Sequence, residues 1–326
     1  MSKPNLLVVC PPDHYALQNL DAIRDDATIH IGNTIEFVQQ YGPAAEILLH
    51  TGFGGPIIPF ADVYPYTPAL KWVHSLSAGV EKFMTPAFIK SPVPLTNARG
   101  VFKRSLADFA ILAVLFFYKR VRRLIESQQA RHWDDFKVDW LPGKIMAVVG
   151  YGEIGRECAL LAKALGLQIY ATRRNPDQSS GDPILDRIFA PSALAEMLAV
   201  ADVVVAAAPL TPDTHHMLSD AQFSTMKPSA IVVNVGRGPV IDEQALIRAL
   251  QKGIIAGAAL DVFEVEPLPS DSPLWDMKNV LLSPHCTDRT QNPDWLDLSM
   301  QCFVSNFRRY LEGLPLENIV NKKAGY

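Results

Sequence analysis

Cysteine is scarce in this sequence: Cys10, Cys158, Cys286 and Cys302 are scattered through 326 residues and form no CxxC pair. No Asn-x-Ser/Thr acceptor occurs. Both absences argue against a disulfide scaffold and a structural metal site, and a reduced, cytoplasmic setting is expected. Long apolar runs are missing too. Leu6–Cys10 runs into prolines and a charge and is too short for the core of a signal peptide. The longest run, Ala110–Tyr118, has nine residues, well short of a membrane span. Neither charge dominates: 30 Lys and Arg stand against 34 Asp and Glu, without a long basic run. Nucleic acid and anionic membrane are therefore not expected partners.

What is present is a core. Hydrophobic residues make up 48% and charged residues 20%, a balance that supports packed domains rather than disorder. The length suits roughly two domains. Residues 1–100 alternate short apolar runs with polar stretches. Leu6–Val9, Glu46–Leu49 and Leu70–Leu76 read as strands and Ile35–Tyr41 as a helix, an α/β pattern. Residues 103–129 read as one long helix that turns basic near its end, followed by a tryptophan-bearing connection, Arg131–Leu141. From Lys144 the alternation becomes regular. Strands are predicted at 145–149, 167–171, 202–207, 230–235, 255–260 and 280–283, with helices between most of them. Their β-branched runs suit a parallel sheet covered on both faces, a doubly wound dinucleotide-binding domain. Leu296–Leu311 is helical again and is expected to pack back on the first domain.

The strand Ile145–Val149 runs into Gly150-Tyr151-Gly152-Glu153-Ile154-Gly155. A lone GxGxxG is weak, but here it follows a strand and opens a helix. Gly150 suits a tight turn, Gly152 a close approach of pyrophosphate to backbone, and Gly155 close helix–strand packing. The helix N-terminus offers amides to the phosphates. Domains selective for NAD place an acid near the end of the next strand, on the ribose hydroxyls. Here that position reads Thr172-Arg173-Arg174-Asn175, with no acid. Two guanidiniums stand where a 2′-phosphate would lie, and arginine pairs strongly with phosphate. The reading is NADP(H) preferred with NAD(H) possible; a solvated basic turn is the bland alternative.

Further motifs follow in order: Pro209-Leu210-Thr211-Pro212-x-Thr214, Asn234-Val235-Gly236-Arg237-Gly238, Ala259-Leu260-Asp261-Val262-Phe263, Glu266-Pro267-Leu268 and Ser283-Pro284-His285. Together with the glycine loop they resemble the D-isomer-specific 2-hydroxyacid dehydrogenases, over about residues 70–320. The arginine pair is similar to that of glyoxylate/hydroxypyruvate reductases. The resemblance implies two doubly wound parallel-sheet domains with the active site in the cleft between them. One is a flavodoxin-like substrate domain at 1–102 and 287–326. The other is a Rossmann cofactor domain at 103–286. It implies reduction of a small 2-keto acid to the D-2-hydroxy acid, with Arg237, Glu266 and His285 as the catalytic trio. It places cofactor contacts at Gly150 through Gly155, Thr172, Arg173, Arg174, Ala208, Pro209, Thr214, Val235, Gly236, Arg237, Asp261 and His285. It places substrate contacts at Ala78, Gly79, Val80 and Arg237, with Phe53 lining the pocket, and it implies a homodimer. In some reductases of this family a tryptophan near Trp140 reaches the neighbouring subunit's site.

Reducing a keto acid needs an anchor for the carboxylate and a proton for the developing alkoxide. Arginine holds a carboxylate bidentately. Histidine carries a proton near neutral pH, and an adjacent carboxylate favours its charged form. Arg237 as a mere surface ion-pair partner fits poorly with its place between glycines after a core strand. Glu266 as a solvated loop acid, and His285 as an ordinary loop histidine, are the corresponding bland readings. His215 and His216 are adjacent, lack an accompanying cysteine or acid cluster, and read as loop residues rather than metal ligands. Cys286 has no evident base and is not expected to be a nucleophile. Asp288 and Arg289 depart from the small residues common in the family at this place, which leaves the substrate class open. A dinucleotide-sensing, corepressor-like protein is the alternative from a different class. Formate dehydrogenase is disfavoured, because that relative has a glutamine where Glu266 stands.

Overall fold

The structure, a computed structural model, describes residues 3–52 and 57–326. The chain divides into two compact units, Met1–Phe102 with Thr290–Tyr326, and Lys103–Arg289. Among the described residues, no helix is long and apolar enough to cross a membrane.

The first unit holds five parallel strands: β1 (Asn5–Val9), β2 (Thr28–Gly32), β3 (Ile47–His50), β4 (Trp72–Ser75) and β5 (Leu95–Asn97), in the order β2-β1-β3-β4-β5. The alternation in β1 shows why its run is continuously apolar. Leu6 and Val8 pack with Trp72 against Phe303 and Phe307 of the helix Trp295–Leu311. Leu7 and Val9 face the other way, into a cluster with Leu48, Phe60, Val73 and Phe88. A sheet covered on both faces needs apolar residues at every position. The expected C-terminal helix therefore does complete this unit's core. Strands β2 and β5 were not predicted from the sequence.

The second unit holds seven parallel strands: β6 (Ile145–Val149), β7 (Gln168–Thr172), β8 (Arg187–Phe189), β9 (Val203–Ala206), β10 (Ile231–Asn234), β11 (Gly257–Leu260) and β12 (Val280–Leu282). Their order is β12-β11-β10-β9-β6-β7-β8. The chain winds outward from β6 to β8, then crosses back to lay β9 beside β6. That reversal is the switch point at which doubly wound sheets bind ligands, outside the carboxyl ends of their strands. Two departures from expectation concern this unit. The short edge strand β8 was missed. The single helix expected over 103–129 is two, Lys103–Tyr118 and Val121–Gln129, broken at Arg120, whose φ of 53° is left-handed.

Candidate active site

The loop after β6 shows what its glycines are for. Gly150 has φ of 97°, and a Cβ there would stand 2.5 Å from the Ala208 backbone, so any side chain is strained twice over. At Gly155 a Cβ would come within 2.4 Å of the Gly150 carbonyl oxygen and 2.7 Å of Val148, so the helix Glu153–Ala164 lies tight on its strand. Gly152 is the opposite case. A Cβ there would meet nothing within 4 Å, and the helix it opens has no side-chain cap. Open space at an uncapped helix N-terminus fits a pyrophosphate. The Gly150 and Tyr151 amides donate to the Thr172 carbonyl at 3.1 and 3.0 Å, tying the loop to the end of β7. Tyr151 is buried, and its hydroxyl donates to Asp182 at 3.1 Å, which also accepts from Arg156 Nε at 2.8 Å. Burial and the Asp182 charge push the phenol's pKa up, so it stays a donor.

Beyond Thr172 the two arginines behave differently. Arg173 is half-buried and donates through Nη1 to Ser179 Oγ at 2.7 Å; Ser179 is itself buried. Arg174 is exposed and reaches Asp213 at 3.4 Å. The buried Thr172 hydroxyl has no hydrogen-bond partner, an unsatisfied polar atom at the end of β7.

After β10, buried Asn234 shapes the next turn. Its Oδ1 accepts the Gly236 amide and its Nδ2 donates to the Arg237 carbonyl, both at 3.1 Å. The flanking glycines make protein–protein approaches. A Cβ on Gly236 would lie 2.9 Å from the Ala208 carbonyl oxygen. One on Gly238 would lie 1.8 Å from the carbonyl oxygen of Phe263. Gly238 thus lets the Arg237 loop press against the loop after β11. That second loop carries Glu266, whose Oε1 accepts the Phe263 amide at 3.0 Å. Glu266 Oε2 meets His285 Nδ1 at 2.7 Å. His285 has φ of 50°, a left-handed conformation uncommon outside glycine. Asp261 holds it there. Fully buried, Asp261 accepts from the hydroxyls of Ser283 and Thr287 at 2.7 Å each, and from the Cys286 and Thr287 amides at 3.2 and 3.3 Å. The Ser105 hydroxyl donates to the Thr287 carbonyl from the helix Lys103–Tyr118.

A model of the D-isomer specific 2-hydroxyacid dehydrogenase NAD-binding domain matches residues 111–287. Glyoxylate/hydroxypyruvate reductase B of Yersinia pestis (strain Pestoides F) is 33% identical over 315 residues, 94% of this chain and 91% of that protein. The chain belongs to the D-isomer-specific 2-hydroxyacid dehydrogenases. It is an NAD(P)-dependent oxidoreductase of that family. The glyoxylate reductase of Thermococcus gammatolerans is 36% identical over 243 residues, 70% of each chain. The D-isomer specific 2-hydroxyacid dehydrogenase of Xanthobacter autotrophicus Py2, solved in complex with NADPH and MES, matches with a TM-score of 0.83 at 28% identity, over 100% of both chains.

Ala208 and Val235 are buried, whereas Pro209, Glu153 and Gly152 are exposed at the carboxyl edge of the seven-stranded sheet. Thr214 folds its own loop, its hydroxyl donating to the Pro209 carbonyl at 2.6 Å and accepting the Thr211 amide at 2.8 Å. Asp261, expected at the cofactor, has no exposed surface, and its carboxylate is bonded to the loop that carries His285. In the first unit, Ala78-Gly79-Val80 follow β4. The Ala78 carbonyl accepts from Asn97 Nδ2 at 2.6 Å, and the Ser77 carbonyl from the Ala98 amide at 3.3 Å, so the loop's carbonyl side is fixed onto the end of β5. Phe53 lies outside the described residues. Cys286 is exposed and Asp288 is half-buried, its pKa raised chiefly by burial. Sequence reasoning missed Ser179 and Asp182, which come after the arginine turn without any motif, and it missed the contacts of His216.

Proposed function

We propose that this enzyme is an NADPH-preferring reductase of small 2-keto acids of the glyoxylate and hydroxypyruvate kind, forming the D-2-hydroxy acid. The observation that carries the reading is the 2.7 Å contact between Glu266 and His285 Nδ1. With Nδ1 committed to the acid, Nε2 is the nitrogen left to serve substrate. Bound dihydronicotinamide supplies a hydride. Arg237 holds the substrate carboxylate and polarises the adjacent carbonyl. His285, as imidazolium, gives its Nε2 proton to the carbonyl oxygen as that oxygen becomes a hydroxyl, and Glu266 stabilises the imidazolium without touching substrate. In the oxidative direction neutral His285 takes the proton back. The Ala78–Val80 loop, a glycine turn whose Ala78 and Val80 carbonyls are already bonded, is proposed as a second anchor for the carboxylate through its amides.

Arg173 and Arg174 at the end of β7 support the preference for NADPH, as does the NADPH in the Xanthobacter relative. The relatives' names support glyoxylate and hydroxypyruvate. A homodimer and a cytoplasmic setting belong to the same reading. The test is a keto-acid panel run with NADPH and NADH in parallel, on wild type and His285→Ala. The expected result is NADPH-dependent turnover of glyoxylate or hydroxypyruvate, reduced by about 10²–10⁴-fold in the variant with cofactor binding retained. Cofactor binding without turnover of any acid would favour the sensing protein instead.

A further inference from the structure

His216 takes no part in the proposed chemistry, yet it is held from several sides. Its φ is 51°, a strained backbone for a residue with a Cβ, and such strain persists only where surroundings impose it. Its amide donates to the Pro239 carbonyl at 2.8 Å, in the loop that carries Arg237. Its Nε2 lies 2.6 Å from Glu264 Oε1, in the loop that carries Glu266. The His215 ring stacks on it with centroids 3.9 Å apart. Glu264 is bound in turn to the start of the helix Glu243–Gln251. Its Oε1 accepts the Glu243 amide, and its own amide donates to Glu243 Oε2, both at 3.2 Å. Burial and the neighbouring Glu264 raise the pKa of Glu243, so these two acids crowd each other. Gly238 closes the remaining side against Phe263, whose amide holds Glu266.

Three loops, after β9, β10 and β11, are therefore fastened at one point. Pro239 stands two residues after Arg237 in one loop, and Glu264 two residues before Glu266 in the other. We propose that His216 is a positioning residue, whose bond to Glu264 fixes the loops presenting Arg237 and Glu266. The proposal rests on the reading of Arg237, Glu266 and His285 as the chemical residues. The geometric sensitivity of catalysis makes such a latch matter, since displacements of about 1 Å can cost on the order of 10²-fold in rate.

The test compares His216→Gln with His216→Leu in the full-length enzyme, with His285→Ala in the same assay. Both His216 variants keep a Cβ in the left-handed backbone, and the glutamine retains a donor while the leucine does not. The expected result is a kcat for His216→Leu at least about tenfold below that of His216→Gln, with NADPH Kd by fluorescence titration and melting temperature matched between the two. Equal kcat values overturn the proposal, as does a leucine defect shared in proportion by NADPH binding, which marks general loosening. If His285→Ala keeps its turnover, the underlying reading fails and the latch with it. If His285→Ala loses turnover while the two His216 variants match, only the latch fails.

Discussion

Arg173 and Arg174 share a turn and a charge but not a situation. Arg173 is oriented by buried Ser179, whereas Arg174 is loosely paired with exposed Asp213. A guanidinium already held by a hydrogen bond loses less freedom on meeting a phosphate. Arg173→Ala should therefore raise the NADPH Michaelis constant by about tenfold or more, and Arg174→Ala by less, with the NADH constant moving little in either. Initial rates with each cofactor check this, and equal effects on both would remove the 2′-phosphate assignment. At this scale the sequence was informative wherever the chemistry is local. The glycine loop, the arginine turn, Arg237, Glu266 and His285 all sit in short, ordered motifs. The bonds that hold Asp261 to the His285 loop were not legible, because its four donors lie more than twenty residues away in the chain. The His216–Glu264 pair was not legible for the same reason, since nothing local marks two loops that meet.

Among the elements, β4 carries an unusual burden. His74 is fully buried on it, with Nδ1 bonded to Thr96 Oγ1 at 2.7 Å and no partner at Nε2. Burial lowers its pKa to about 3. The folded chain keeps it neutral, while the unfolded chain takes up a proton near ~6.5. Its contribution is therefore fully present above that pH and is lost as pH falls towards the folded value. At pH 5 the loss is about 2 kcal/mol. Urea unfolding of the wild type should show a decline between pH 7 and pH 5 that is shallower in His74→Phe; parallel slopes would count against it. Elements that the sequence reading missed share a physical cause. Strands β5 and β8 are three residues each, and β2 is an edge strand with an exposed first residue, so none shows a continuous apolar run. The break at Arg120 was hidden because the left-handed residue is an arginine rather than a glycine, within a run of good helix formers.

For the whole molecule, the most exposed aromatic surface lies in the segment after the helix Val121–Gln129. Trp133 and Trp140 are 95% and 75% exposed, and Val138, Leu124 and Ile125 are exposed with them. The segment is nonetheless tied down. Arg123 grips Asp134 with two hydrogen bonds at 2.6 and 2.8 Å and lies 4.3 Å from the Phe136 ring centroid. Ordered, exposed tryptophans of this kind mark association surfaces. Sedimentation at micromolar concentration should give a dimer that Trp133→Glu shifts to monomer. A wild-type monomer would refute the dimer, and a variant that stays dimeric would move the interface elsewhere.

Every strand in both sheets is parallel, so within each unit the loops divide cleanly into two edges. In the second unit all the residues assigned chemistry stand at the carboxyl edge. The opposite edge holds turns such as Gly143 and Gly253, both at positive φ, with open space where a Cβ would point. For an engineer attaching a dye, a surface tether or a new pair of termini, that edge is the one to use: the graft would sit a full strand length from the machinery, beside these glycines rather than on them, because a side chain at their positive φ would be strained.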